Sequence, residues 1–319
     1  MKPPISPNPG RSDTPHEMAA KVAQSAARLK QIEECTPDEA RQLREERGNP
    51  FAPEPCELDE IRDIEIPCQD STLLARLYYP LADRGGCPAL VFFHGGGCVL
   101  GSVEQYDTLC QNLAHHSGCV VMSVEYTLSP ERRLQGIHSD ATDCWAWLLA
   151  HHGELGIDFA RCGVGGDSAG GNIALGVCLN ADRRGLQMPA YQLLIYPSVD
   201  LGMNYPSVEE FATGYFLTRA GMKWFHSHSL EFPEQASDPE IAFLQNDLSR
   251  FPPAYVLTAG FDPLRDEGWA LVEKFRAQGV PVEHECYTDM IHAFVSFAGG
   301  IPAGKYALET MGGRLKQVL

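Results

Sequence analysis

The sequence predicts an α/β fold, a mostly parallel sheet with helices on both faces. Three observations carry this. Short, continuously apolar runs recur at 89–93, 119–124, 162–164, 193–196 and 255–258, the texture of strands buried on both faces. Helical patterns alternate with them at about 105–116, 139–152, 169–183 and 264–278. One stretch, 203–249, breaks the alternation: it holds aromatic residues (Tyr205, Phe211, Tyr215, Phe216, Trp224, Phe225, Phe232) and no strand pattern. That is too long for an ordinary connection and reads as an inserted helical segment.

Taken in order, residues 1–14 are rich in Pro, Ser and Gly and read as loose. Between His16 and Arg47 the pattern is helical, with Met18, Val22, Ala26 and Leu29 forming one apolar stripe. Thr36 followed by Pro37, Asp38 and Glu39 reads as an N-cap with Pro at the first helical position. Two helices with so little apolar surface make no core alone, so they are expected to lie over something else. Residues 61–66 and 73–79 alternate like half-buried strands joined by a turn at Gln69 and Asp70. The buried runs and helices follow, and a last strand is expected over 282–287.

The chain has 319 residues, 44% of them hydrophobic and 21% charged, enough for one core plus insertions. No apolar run approaches the roughly 18 residues of a membrane span. The net charge is −17, which repels phosphate backbones and argues against nucleic acid as a partner. Residues 1–50 hold eight of the 25 basic and eight of the 42 acidic residues. They are neutral, and the whole excess lies beyond them, which places a boundary near 50. The 11 cysteines form no C-x-x-C, and the Met1-Lys2-Pro3-Pro4 start has no apolar h-region. Reduced thiols in a cytoplasmic protein are the expectation. No metal-ligand spacing is present; His226 and His228 stand two apart, on different sides of a helix.

The chemistry-bearing residues begin with Gly166-Asp167-Ser168-Ala169-Gly170, a G-x-S-x-G that follows the apolar run 162–164 and opens a helical pattern. A nucleophile elbow needs that strand–turn–helix context, with small residues around a strained serine. A phosphate-binding glycine turn is the competing reading, but it usually adds a Lys or a second glycine pattern. His94-Gly95-Gly96-Gly97 follows the run 89–93. Acyl transfer passes through an oxyanion that fixed N–H donors stabilise, and glycines let the backbone approach it; a flexible turn is the plain alternative.

A serine nucleophile needs a base, and the base an orienting acid, in the chain order Ser, Asp or Glu, His. Asp262 stands just past the run 255–258, where open α/β sheets place ligands. His292 stands in the loop after 282–287, with a structural loop histidine as the alternative. Asp266 and Asp289 are rival acids, Asp266 being expected inside a helix.

These four motifs together, His94 to Gly97, Gly166 to Gly171, Asp262-Pro-Leu-Arg-Asp-Glu267 and Ile291-His-Ala-Phe294, resemble the hormone-sensitive-lipase family of α/β-hydrolases, and within it the bacterial family IV esterases with Gly-Asp-Ser-Ala-Gly. The resemblance runs from about 60 to the C-terminus. It implies the α/β-hydrolase fold, with an eight-stranded sheet and a helical cap made of residues 1–50 plus an insertion at about 203–235, over a catalytic domain spanning 51–319. It implies a serine carboxylesterase acting on short- to medium-chain acyl esters without cofactor or metal. Ser168 would be the nucleophile, His292 the base and Asp262 its orienting acid. The backbone N–H groups of Gly96, Gly97 and Ala169 would form the oxyanion hole. The expected partner is a small-molecule ester, with a homodimer left open. Two departures stand out. Cys98 follows the glycines where relatives carry a bulky residue, which would widen the acyl pocket. The family's Tyr-Arg-Leu-Ala-Pro-Glu reads Tyr126-Thr-Leu-Ser-Pro-Glu131, and its later Phe-Pro-Ala reads Leu134-Gln-Gly136.

Two other classes compete. A hydrolase-fold small-molecule binding protein without turnover, like the gibberellin receptor that resembles the same family, lacks the triad histidine; His292 is present here. A thiol redox protein would need a C-x-x-C or a basic neighbourhood for a low-pKa cysteine.

Overall fold

The computed structural model describes residues 3–83 and 85–319. Among these residues nine strands form one sheet: β1 (Ile5–Ser6), β2 (Glu60–Pro67), β3 (Thr72–Tyr79), β4 (Cys87–Phe93), β5 (Val120–Glu125), β6 (Ile157–Asp167), β7 (Gln192–Ile195), β8 (Ala254–Phe261) and β9 (Val282–Ile291). Their order is β1-β9-β8-β7-β6-β4-β5-β3-β2. The pairs from β5 through β4, β6, β7 and β8 to β9 are parallel, while β2, β3 and β1 pair antiparallel. The apolar runs form strands because both faces are covered. In β4, Ala89, Val91 and Phe93 enter one core layer, and Leu90 and Phe92 enter the other.

The first layer is closed by α4 (Leu134–His151), α5 (Ala169–Arg184) and α8 (Arg265–Ala277). The second is closed by α3 (Asp107–Ser117) and α9 (Pro302–Val318), joined by α1 (Glu17–Ala27) through Ala19, Val22 and Ala23. The helix α2 (Pro37–Arg47) starts at the expected place. Thr36 Oγ1 accepts from Glu39 N, and Glu39 reaches back to Thr36 N, a capping box that satisfies two otherwise orphaned donors. Residues 203–249 contain α6 (Pro206–Glu210), α7 (Arg219–Ser229) and short 3-10 turns, without a strand. Among the described residues no helix is long and apolar enough to cross a membrane.

Two expectations are corrected. The sheet has a ninth strand, because the N-terminal segment is not loose over its described part. Ile5 and Ser6 pair with Tyr287 and Cys286 of β9, Thr288 N donates to Pro4 O at 3.0 Å, and Ser12 N donates to Thr288 O at 2.8 Å. Residues 1 and 2 of that segment lie outside the described residues. The physical reason is the edge: β9 would otherwise present a row of unpaired backbone groups, and the tail covers it. The helix α4 also begins at Leu134, five residues ahead of the expected start. No side-chain cap marks its N-terminus, and Gly136 dilutes the periodicity of its first turn.

Candidate active site

Four strands of the parallel sheet end on the same side, and each releases a functional segment there. β4 runs into His94, β6 into Ser168, β8 into Asp262 and β9 into His292. Ser168 sits at the turn between β6 and α5 with φ 56° and ψ −120°, a conformation that side-chain-bearing residues rarely adopt. Neighbouring backbone holds it there. Ser168 N donates to Ile195 O at 2.9 Å, and the chain beyond it presses against the end of β4. A Cβ on Gly170 would lie 1.9 Å from Phe93 O, so only glycine permits that approach.

The three side chains named from the sequence meet. His292 Nε2 lies 2.9 Å from Ser168 Oγ, and His292 Nδ1 lies 2.7 Å from Asp262 Oδ2. The other carboxylate oxygen of Asp262 accepts from Leu264 N at 2.8 Å. Asp262 is fully buried and His292 is 4% exposed, so this chain of hydrogen bonds runs away from solvent. The rival acids are elsewhere. Asp266 opens α8, where it accepts from Ser207 N and the Arg265 guanidinium. Asp289 lies within β9, half-buried, with one oxygen unpartnered.

The glycine loop is held from below. Asp167, the variable residue of the serine motif, accepts from Gly95 N at 2.7 Å and from the Tyr106 hydroxyl at 3.0 Å. Its burial is complete enough to push its carboxyl up to about 6. His94 is buried as well, its imidazole pushed down to about 4, so its neutral ring donates from Nδ1 to Gly95 O at 2.8 Å. The Tyr126 hydroxyl donates to His94 O at 2.8 Å. Gly96 has φ 118°, and a Cβ there would strike Leu100 O. With the loop so fixed, the N–H groups of Gly96, Gly97 and Ala169 meet no acceptor among the described residues. Ala169 also opens α5, whose positive end therefore faces the serine.

Sequence reasoning missed the Asp167–Tyr106 support. The only signal was a charged residue inside a buried motif, and its partner lies 61 positions away.

A cavity of about 470 Å³ opens over the serine, lined by Ser168, His292, Gly96 and Gly97, by Val22 and Leu29 of the N-terminal segment, and by Phe216 and Leu217 of the insertion. A second, about 50 Å³, also touches Ser168 and is lined by Cys98, Asn172, Met222 and His226 among others. Phe225 lines both, its ring lying where a Cβ of Gly97 would stand. Among the described residues no group of three or more His, Cys, Asp and Glu side chains is arranged to hold a metal.

The chain is similar to known α/β-hydrolases and esterases. Residues 90–296 match the family model of the alpha/beta hydrolase fold. An ethyl acetate hydrolase of Pseudomonas putida is 36% identical over 280 residues, covering 86% of this chain and 88% of that one. A carboxylic ester hydrolase of Mycobacterium tuberculosis, LipN, is 35% identical over 255 residues, covering 77% and 68%. The solved structure of a hyperthermophilic esterase from Pyrobaculum calidifontis superposes with a TM-score of 0.88 at 34% identity, covering 95% of this chain and 98% of that one.

Proposed function

The chain belongs to the hormone-sensitive-lipase family of α/β-hydrolases and is a carboxylic ester hydrolase, and from that premise we propose that it acts through an acyl-enzyme on Ser168. In this reading His292 Nε2 takes the Ser168 proton as Oγ attacks the ester carbonyl. The carbonyl oxygen becomes an oxyanion that accepts from the N–H groups of Gly96, Gly97 and Ala169. Asp262 holds His292 with its proton on Nδ1 and stabilises the imidazolium. His292 then gives its proton to the leaving alkoxide, and water, deprotonated by the same nitrogen, releases the acid. The observation that carries the reading is the hydrogen-bonded chain from Asp262 through His292 to Ser168, ending at a cavity beside three N–H groups that meet no acceptor among the described residues.

Residues 1–50 and about 203–235 act in this proposal as a cap over the catalytic domain of 51–319. Both contribute walls to the larger cavity, and they are tied together by Trp224 Nε1, which donates to Cys35 O at 3.0 Å. The substrates are short- to medium-chain acyl esters. The test is Ser168→Ala with a chromogenic ester. A loss of about 10⁴-fold or more in kcat with the fold intact, and loss of the burst of released alcohol, is expected. Near-normal turnover by a folded Ser168→Ala protein would overturn the proposal.

A further inference from the structure

Two cavities meet at Ser168, and only the larger is also lined by His292. On the catalytic reading proposed above, the proton held on His292 must reach the departing alkoxide. The alcohol portion therefore lies on the His292 side, in the cavity of about 470 Å³. The acyl portion is left with the chamber of about 50 Å³. That volume takes on the order of three to four non-hydrogen atoms.

The wall of this chamber is mostly apolar, with Cys98, Leu201, Met222 and Leu264 among its residues. Of the polar side chains in the wall besides Ser168, two are unpartnered among the described residues. His226, on α7, lines the chamber, and its ring nitrogens have no hydrogen-bond partner among the described residues. Ser198, in the loop after β7, lines it too. Its backbone N–H and C=O are bonded, to Ser168 O and Asn172 Nδ2, but its hydroxyl has no partner among the described residues. Other polar groups of the wall are already used: Asn172 binds His138 and the Ser198 carbonyl, and the Ser229 hydroxyl donates to Phe225 O. Burial pushes the His226 imidazole down to about 4, so the ring is neutral near pH 7. It then offers one bare nitrogen and one N–H.

A small apolar chamber with an unused acceptor and an unused hydroxyl loses free energy unless its occupant satisfies them. A plain alkyl acyl group cannot. We infer that the chamber selects short acyl groups that carry a hydroxyl, so that the preferred substrates are esters of small hydroxy acids with bulky alcohols. The substrate hydroxyl donates to the bare nitrogen of His226 and accepts from the Ser198 hydroxyl. Both residues are specificity determinants and take no part in proton transfer.

The experiment compares kcat/KM for two pairs of benzyl esters in which a methyl replaces the hydroxyl at nearly constant shape. One pair is 2-hydroxypropanoate against 2-methylpropanoate, the other 3-hydroxybutanoate against 3-methylbutanoate. Each ratio is divided by the ratio of alkaline hydrolysis rates, which removes the intrinsic reactivity of the hydroxy ester. The expected corrected ratio is tenfold or more in favour of the hydroxy ester for at least one pair. His226→Phe and Ser198→Ala, measured separately, are each expected to lower it at least fivefold. A merely structural role for either residue would lower both esters together and leave the ratio in place. A corrected ratio near one in the unaltered protein, or a ratio that neither variant moves, would overturn the inference while leaving esterase chemistry standing. Absence of Ser168-dependent hydrolysis of all four esters and of a chromogenic acetate would overturn the catalytic reading and this inference with it.

Discussion

The ends of the central strands and the two segments above them are built on different terms. At the strand ends the backbone is pinned on every side. Ser168 N is bonded to β7, Gly95 N to Asp167 and Leu264 N to Asp262. Several strained residues gather there, Cys98, Ser168, Tyr196 and Ala293 all having positive φ. The covering segments are held in part by long side chains that reach across. Arg41 of α2 reaches Val99 O, Ser129 O and the Glu131 carboxylate, and Arg133 reaches Leu230 O of the insertion. The contrast teaches a division of labour. Groups that must hold a reacting atom to a fraction of an ångström sit on elements the sheet over-determines. In the proposed reading, groups that only shape the substrate's surroundings sit on segments laid over the strand ends.

The largest expected effect breaks the pinned region at one atom. In Asp262→Asn, the amide oxygen and nitrogen can exchange places, and the nitrogen facing His292 Nδ1 favours the wrong tautomer. A drop of about 10³–10⁴-fold in kcat with an unchanged structure is expected. Asp266→Asn and Asp289→Asn touch neither His292 nor Ser168 and should retain most of the rate. If Asp289→Asn were crippling and Asp262→Asn harmless, the acid would be misassigned.

A second test asks what the rigidity under the glycine loop costs. Burial raises the Asp167 carboxyl from its ordinary value of 3.8 to about 6. The folded protein thus holds this proton more tightly than the unfolded chain does. Its stabilising contribution is full below about pH 4 and is lost as pH rises through about 6. The raised value corresponds to about 3 kcal/mol. Asp167→Asn keeps an acceptor for Gly95 N without a titrating group. Denaturant unfolding of both proteins from pH 4 to pH 7.5 should show the unaltered protein losing ground to the variant across that interval, by about 2–3 kcal/mol, and no further above it. Parallel curves would mean that Asp167 titrates as an ordinary carboxylate.

The same division explains what was legible in the sequence. The buried strands announce themselves because both faces are covered, so their apolar runs are continuous. Ser168 and Asp262 are legible because each stands a few residues past such a run, and His292 because it follows the expected last strand in the chain order of a triad. β1 has only two residues set among prolines, and only the exposed edge of β9 makes it a strand. α9 escapes notice because Gly304, Gly312 and Gly313 interrupt its apolar stripe, yet packing requires at least one of them. A Cβ on Gly312 would lie 2.3 Å from the His116 Cβ, at the contact with α3. Asp167 with Tyr106, and His226 with Ser198, gain meaning only from neighbours far away in the chain.

Truncation tests the covering segments directly. Removing residues 1–47 deletes the strand that covers the β9 edge together with α1 and α2 of the cavity wall. A loss of about tenfold in kcat/KM, mostly through KM, and a gain in self-association are expected. Removing residues 1–12 alone opens the edge and spares the wall, so association should rise with KM nearly unchanged. An unchanged KM in the longer truncation would mean that the segment does not act as a cap.

The smallest effect falls where the two regions touch. Cys98 belongs to the pinned loop by its backbone, with φ 61°, packs in the core, and is also among the residues lining the small chamber. It is 3% exposed, and burial pushes its thiol up to about 12, so it acts there by size and not as a nucleophile. Cys98→Phe places several extra heavy atoms in a chamber of about 50 Å³. Each methylene that no longer fits forfeits roughly 0.8 kcal/mol of apolar burial. Two methylenes separate a butanoyl from an acetyl group, so the butanoate-to-acetate ratio of kcat/KM should fall by about tenfold. The same crowding should cost about 1–3 kcal/mol of stability, because the loop cannot yield. The two measurements together are decisive. A lowered melting temperature with an unchanged acyl-length profile would place the new ring in the core behind the loop, and the chamber's size would then not be set by residue 98.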